Sequence, residues 1–340
     1  MGTILIAPAF WFFQVGLLLH VAACLLLISF LLFFINTYLT TKQVQKWPIE
    51  ADFIVTSGIW LVLTGIVGAM MAFNFTMPFL PDSHLHFLKL HAHLGVAGWF
   101  LLLIIGVSSK LLPMFLLAHP HDTKKLTVSY YAINAGLVFF ALDHLVLKMQ
   151  LGWVSGLLVA AGVIAYLWFL YEAFQQRMRK DHEPGMKLSF VAVVLMLLPV
   201  GLVFLVNKEG LMSEQLMQHL YLVYGISIFM GFISALILGQ TYKTLPFIIW
   251  MHKYEEHVGR FKTPLPKDLY SHKIATAQNY CYLAGLFLLL AGVMLGQKII
   301  ITTGGALLLA AALLFVFNVG KILFHQISLQ PFSTPKQQQS

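Results

Sequence analysis

Four histidines occupy ten consecutive positions in the stretch HLHFLKLHAH, residues 84 to 93. A neutral imidazole nitrogen binds iron without adding charge, so such a cluster could hold a metal ion or a heme iron in an apolar setting. Histidines at a membrane edge are also often only hydrogen-bonded or half-solvated. The choice between these readings depends on the elements that carry the four side chains.

Helical spacing places the four imidazoles on different faces. At 3.6 residues per turn, His86 and His93 share one stripe about 10.5 Å long, and His84 and His91 share another. His91 and His93 differ by roughly 200° and point to opposite faces of one helix. We therefore expect them to serve two sites, or one of them to bind a metal while the other anchors a neighbouring group.

The composition identifies a membrane protein. The chain is 59% hydrophobic and 10% charged, which leaves too little polar surface to cover a water-soluble protein of 340 residues. A helix needs about 20 apolar residues to cross the hydrocarbon layer. Runs of this kind predict an all-α, polytopic helical bundle with nine spans: 9–39, 53–80, 88–116, 128–147, 151–173, 187–207, 215–250, 274–296 and 299–324. Pro8 is expected near the start of the first span.

Basic residues cluster in alternate loops, and this fixes an orientation. By the positive-inside rule those loops are cytoplasmic, so we expect a plasma (inner) membrane protein with its amino terminus outside, its carboxyl terminus inside and a polar tail over 326–340. The lipid bilayer accounts for the basic surface without nucleic acid. The clustered residues are Lys42, Lys46, Lys124, Lys125, Arg177, Arg179, Lys180, Lys253, Arg260, Lys262 and Lys267.

An internal repeat has an offset of 133 residues. It predicts a single membrane domain over 1–325, in which a first helix (9–39) is followed by two parallel four-helix repeats (53–173 and 187–324). A Lys-x-x-Pro element in both copies predicts a kink or a helix end. The register matches Gly68, Asn74, His86, Gly98, Gly106, Lys110, Leu112, Pro113 and His119 with Gly201, Asn207, His219, Gly231, Gly239, Lys243, Leu245, Pro246 and His252.

This topology brings distant imidazoles to one depth, in the outer half of the membrane. The candidate cofactor-binding residues are His20, His86, His91, His93, His144, His219 and Tyr224. Of these, His20, His93 and His219 are the predicted metal ligands, because an ionisable residue within a membrane is a functional candidate by default. Gly95 and Gly98 could admit a flat macrocycle against the backbone, or serve close helix packing.

The stretch HAHLGVAGWFLLLIIGVSSKLLPMF (91–115) resembles small relatives of heme-copper oxidase subunit I and the NnrS family of membrane heme proteins. The resemblance implies heme in the outer half of the membrane, with His91 and His93 as a His-x-His pair and His219 as the metal-binding histidine of the second repeat. The chain departs from the oxidases in having two four-helix units instead of three and no adjacent His-His pair for copper, so copper is less expected than heme b.

We therefore expect a heme b protein that acts in electron transfer or in handling nitric oxide or oxygen, with a respiratory or electron-donor protein as partner and possible oxidoreductase activity. Proton pumping is not expected, because the spans are nearly free of acidic residues. Two alternatives stay open. One is a permease for copper, zinc or protons, and the other is an assembly subunit of a respiratory complex that binds no cofactor.

Overall fold

The structure is a computed structural model that describes residues 1–118, 122–178, 182–206, 212–327 and 329–331. Within these residues the regular secondary structure is helical apart from two strands of two residues each, Phe261–Lys262 and Gln330–Pro331. The predicted all-α class is confirmed. His119, Asn207, Arg179, Lys180 and most of the predicted tail lie outside the described residues.

Nine helices of the described part are long and apolar enough to cross a membrane, as the hydropathy pattern predicts. A shorter helix precedes them. A short 3-10 turn, Glu255–His257, ends the seventh span, and a second, Pro266–Leu269, follows it. The helices are α1 (Gly2–Trp11), α2 (Leu17–Thr41), α3 (Ile49–Asn74), α4 (His84–Leu116), α5 (Lys124–Leu147), α6 (Gly152–Gln175), α7 (Pro184–Val206, interrupted at Met196), α8 (Glu214–His257), α9 (His272–Leu295) and α10 (Lys298–Leu323).

The prediction of one helix over 9–39 is wrong at its beginning. The apolar run is divided between α1 and α2, and Pro8 lies inside α1 instead of at the start of the span. Phe13, between the two helices, has a left-handed backbone (φ 49°) that a continuous helix cannot contain. The two helices pack on each other through Ala9 and Leu19, and because both are apolar, hydropathy alone does not reveal the break.

The chain forms two compact units, Met1–Lys180 and Asp181–Ser340, here called the first and second units. The first contains α1 to α6, and the second contains α7 to α10 with the two strands. The boundary falls between the predicted repeats, 53–173 and 187–324. The predicted single domain, in which one helix is followed by two four-helix repeats, stays a prediction.

Two long helices widen into π-helix at equivalent places of the predicted register. The segment in α4 is Leu94–Leu101 and the segment in α8 is Ser227–Ser234, so both bounds are 133 residues apart (227 − 94 and 234 − 101). Pro113 is followed by the end of α4 at Leu116, whereas α8 continues well beyond Pro246. Of the two predicted alternatives, a helix end is therefore excluded after the second Lys-x-x-Pro element, and a kink there stays a prediction.

Glycines bring α3 and α4 of the first unit into close contact. A Cβ atom on Gly98 would lie 2.7 Å from Cβ and Cγ of Trp60, and one on Gly95 would lie 3.3 Å from Cγ2 of Thr64. The Trp60 indole in turn donates a hydrogen bond to Oδ1 of Asn134 in α5 (2.9 Å). These glycines serve helix packing, and the alternative, a macrocycle against their backbone, is wrong at Gly98 because the indole covers it.

In the second unit, α7 and α8 approach through glycine as well. A Cβ atom on Gly239 would lie 2.7 Å from the carbonyl oxygen of Gly185. Nearby, the Lys243 ammonium is 3.1 Å from the Glu183 carboxylate, and both side chains are largely buried. Beyond α8, the first short strand pairs antiparallel with the second, so the chain after α10 is held against the segment that follows α8.

Candidate functional site

Most of the candidate histidines of the first unit lie at one end of its helices. This region, here called the histidine end, consists of the start of α2, the end of α3 with the following residues to Thr76, the start of α4 and the end of α5. Ser83 begins α4 as its N-cap, because its hydroxyl accepts the backbone N–H of His86 (3.3 Å). The cap fixes where the helical spacing of the histidines starts.

His91 points from α4 towards α3. Its Nδ1 donates a hydrogen bond to the main-chain carbonyl of Thr64 (3.0 Å). The ring lies against Gly68, where a Cβ atom would come within 2.8 Å of Cε1. Because a carbonyl oxygen can only accept, Nδ1 carries the proton and Nε2 carries the lone pair.

His93 points from the same helix towards α5. Its Nδ1 donates to the carbonyl of Lys89, one turn earlier (2.7 Å), so Nε2 again carries the lone pair. The ring centroid lies 4.7 Å from that of Phe140 in α5. Within the described residues no hydrogen bond reaches Nε2 of His91 or of His93. The two rings have different neighbours, as expected from a rotation of roughly 200° between them.

His86 and His144 are brought face to face. Their ring centroids are 3.7 Å apart with an interplanar angle of 10°. Nε2 of His86 donates to the main-chain carbonyl of His144 (3.1 Å), and Nε2 of His144 donates to the carbonyl of His86 (2.9 Å). Both were candidates from their depth, but the sequence did not indicate that they touch.

His20 and His84 each stack on a phenylalanine near the end of α3. The His20 ring lies 4.3 Å from Phe73, with Nε2 3.0 Å from the Thr76 hydroxyl. The His84 ring lies 4.3 Å from Phe75. His20 therefore has different neighbours from His93, the other predicted metal ligand of the first unit.

An apolar groove of about 450 Å³ runs beside His20. No imidazole lines it among the described residues, and its lining consists of Leu27, Ile66, Ala69, Met70, Phe73, Met77 and Phe79.

Asp143 is the acidic residue at the histidine end that the sequence places inside a span. Its carboxylate accepts the backbone N–H groups of Met149 (3.0 Å) and Leu151 (2.7 Å). The side chain is buried and shapes the turn between α5 and α6, so a structural role accounts for it.

His219 and Tyr224 belong to the second unit and are described there alone. The His219 ring lies near Gly296, where a Cβ atom would be 3.5 Å from Cε1. Tyr224 packs against an apolar cluster that includes Leu220 and Val293. Across the described ranges, no three His, Cys, Asp or Glu side chains converge as ligands of one metal ion.

Sequence reasoning missed four partners of these rings. The carbonyl groups of Thr64 and Lys89 have no sequence signature, since every residue has one. Phe140 belongs to an apolar span in which nothing distinguishes it from its neighbours. Gly68 carried a signal, because it falls in the predicted repeat register, but its contact with His91 did not follow from that register.

Comparison of the chain with protein-family models gives no match, and comparison with curated protein sequences gives none either. The resemblance to membrane heme proteins therefore stays a prediction.

Proposed function

We propose that this chain is an integral membrane protein that binds heme b through Nε2 of His91 and Nε2 of His93. The observation that supports this is the hydrogen bond from each Nδ1 to a main-chain carbonyl. Histidines that ligate metals in proteins usually donate their other ring N–H in this way, which fixes the tautomer and the ring orientation. The donor set therefore fits an axial ligand of iron.

The donating nitrogen and the ring stacking distinguish His86 and His144 from His91 and His93. In His86 and His144 it is Nε2 that donates to a carbonyl, and one face of each ring is covered by the other ring. We therefore assign His86 and His144 to a structural role within the proposal. His20, His219 and Tyr224 stay predictions as cofactor contacts.

The π-helical segment after His93 gives further support. Such wide turns are rare, and they occur frequently at functional sites. Because His91 and His93 face different neighbours, we propose that they ligate separate irons, so the chain binds more than one heme. Bound heme supplies one-electron chemistry or a place for a diatomic gas such as nitric oxide or oxygen.

The proposed setting is the plasma membrane with the histidine end outside, where an electron-donor protein would meet it. His91 and His93 would hold and orient the cofactor there. The carbonyls of Thr64 and Lys89 would keep the proton on each Nδ1 and hold the ring orientation, which leaves the Nε2 lone pair for the metal. Oxidoreductase activity is part of this proposal.

A permease is the second candidate, favoured by the polar interior of the second unit. The Gln278 side chain in α9 is fully buried, and within the described residues neither amide atom has a hydrogen-bond partner. Unpaired polar groups inside a membrane span often mark the path of an ion or solute. Uptake of copper or zinc into vesicles that contain the protein, without bound heme, would favour this candidate.

The decisive experiment is the visible absorption spectrum of the protein purified from heme-supplied cells, with a pyridine hemochrome assay. We expect a Soret band from heme b and more than one heme per chain. His91→Ala and His93→Ala should each lose or shift part of that spectrum. Folded protein without a Soret band contradicts the proposal.

His84→Ala is the matched control. His84 lies at the same end of the same helix, but its ring stacks on Phe75 and it is not a proposed iron ligand. This variant should keep the full spectrum. If all three variants keep it, His91 and His93 are not the iron ligands.

A further inference from the structure

The His86–His144 pair joins the start of α4 to the end of α5 by three interactions at once. The rings stack at 3.7 Å, and two reciprocal hydrogen bonds connect each imidazole to the backbone of the other residue. His144 lies in a π-helical segment, Asp143–Leu147, which ends α5. The contact therefore ties two helix ends together at side-chain and main-chain level.

The hydrogen bonds fix the protonation of the pair. Since both acceptors are carbonyl oxygens, both Nε2 atoms carry protons, and in the neutral form both Nδ1 atoms carry lone pairs. Adding a proton to each Nδ1 would place two positive charges on parallel rings. At this separation, with both rings partly buried, such charges repel.

The charged groups around the pair offer little compensation. Asp82 lies 3.8 Å from Nε2 of His86, but its carboxylate is already 3.1 Å from the Lys148 ammonium. Asp143 uses both carboxylate oxygens to accept backbone N–H groups. On α4, Lys89 follows His86 by one turn and carries a positive charge.

The remaining titratable group near the pair is His93. Its ring is connected to that of His144 through Phe140, which lies 4.7 Å from His93 and 5.3 Å from His144.

We propose that His86 and His144 form a pH-dependent latch. In their neutral form the rings hold the two helix ends together. When each ring carries a second proton, the two positive charges repel, the stack separates, and the start of α4 moves away from the end of α5. Opening would also free Phe140, which lies between His144 and His93. The latch needs no cofactor and stands apart from the proposed heme binding.

Spin labels next to the two histidines test the latch. Cysteines replace Leu85 and Leu145, both exposed, and serine replaces the native Cys24 and Cys281. Dipolar EPR then measures the distance between the labels at about pH 8 and about pH 5, on either side of the ordinary imidazole pKa of about 6.5. The expected result is a narrow distribution at the higher pH and a longer, broader one at the lower pH.

The first control carries His86→Gln and His144→Gln, which cannot become charged and should give the same distribution at both pH values. If that variant does not fold, His144→Gln alone serves, since one charged ring has no charged partner. The second control places the labels at Val128 and Trp168, towards the other end of α5 and α6, where no change is expected.

Three results would overturn the latch. They are an unchanged distance in the chain with both histidines, an equal change in the glutamine variant, and an equal change at the second label pair, which would indicate general unfolding. The absorbance of the same samples reports heme separately. If the protein binds no heme but still shows the pH response, the latch is supported and the proposed function is contradicted.

Discussion

The imidazole of His91 occupies the space that a side chain on Gly68 would need. A Cβ atom at that position would lie 2.8 Å from Cε1 and 3.2 Å from Nδ1 of the ring. Together with the hydrogen bond from Nδ1 to the Thr64 carbonyl, this contact fixes the position of the ring against α3.

Gly68→Ala is therefore expected to displace the His91 ring. Overpacking of this kind costs about 1–3 kcal/mol of stability. A shifted ring should also change the part of the heme spectrum that depends on His91. Thermal unfolding in detergent and visible absorption measure the two effects.

Gly201→Ala is the matched control for that substitution, since Gly201 is its counterpart in the predicted register and a Cβ atom there has no heavy atom within 4 Å. Stability should not fall in this variant. Equal losses at both positions would mean that the contact with His91 is not the cause.

Gly98→Ala should destabilise the first unit, because the new methyl group would meet the Trp60 ring at 2.7 Å. We expect a loss of about 1–3 kcal/mol and weaker protection of the indole from quenchers. At Gly231, the counterpart in the second unit, the nearest atoms would be 3.9 Å and 4.0 Å away. Gly231→Ala should thus be tolerated, and tryptophan fluorescence during unfolding compares the two variants.

Breaking the ion pair between Lys243 and Glu183 should be costly. The two side chains are 15% and 11% exposed, so the contact between them is little screened by water. Glu183→Gln alone or Lys243→Met alone is expected to lower stability by about 1.5–3 kcal/mol, the contribution of a hydrogen bond to a charged group. The double variant should recover part of this loss.

Lys110→Met provides the comparison for the ion pair. Lys110 is the counterpart of Lys243 in the predicted register, but it is exposed. Its replacement should change the midpoint of thermal unfolding little. A similar loss at both lysines would point to a general effect of charge near the membrane surface instead of to the pair.

The contact between the segment after α10 and the end of α8 should loosen in acid. Burial lowers the pKa of His325, and Lys253 lowers it further. The folded pKa then lies below the unfolded value of about 6.5, so protons bind the unfolded state more tightly. The stabilising contribution is complete above about pH 6.5 and is lost as the pH falls through the folded pKa.

Hydrogen exchange of backbone amides over residues 255–271 measures this loosening. In the neutral form, Nε2 of His325 lies 2.8 Å from the Tyr254 hydroxyl. Protection should fall as the pH is lowered through the imidazole range, after correction for intrinsic exchange. His325→Gln should remove most of this dependence. An unaltered pH profile in that variant would assign the effect to another group.

The nine spans could be predicted because the length of an apolar run is a strong signal. The division between α1 and α2 could not, because it depends on the backbone of Phe13 within a run that is apolar on both sides. The π-helical segments were also beyond reach, since an apolar sequence fits 3.6 residues per turn as well as a wider turn.

At the histidine end, the sequence identified the residue types and the opposite directions of His91 and His93. It did not identify what each ring touches. The contacts of His91, His93, His86 and His144 all run to main-chain carbonyls. The packing of neighbouring helices sets those of His91, His86 and His144, whereas that of His93 lies within α4. The choice of His91 and His93 among the candidate ligands, which is part of the proposal, therefore depends on the three-dimensional structure.

The wide turn in α4 lets the helix absorb a small genetic change. Deleting one residue from Leu94–Leu101 would let that stretch close into an ordinary helix. In a helix that is ordinary throughout, a deletion turns the flanking residues by roughly 100°. Here the change to a narrower turn offsets much of that rotation, because fewer residues then complete each turn. A lineage could in this way lose one residue while its histidines stayed close to their direction relative to Pro113.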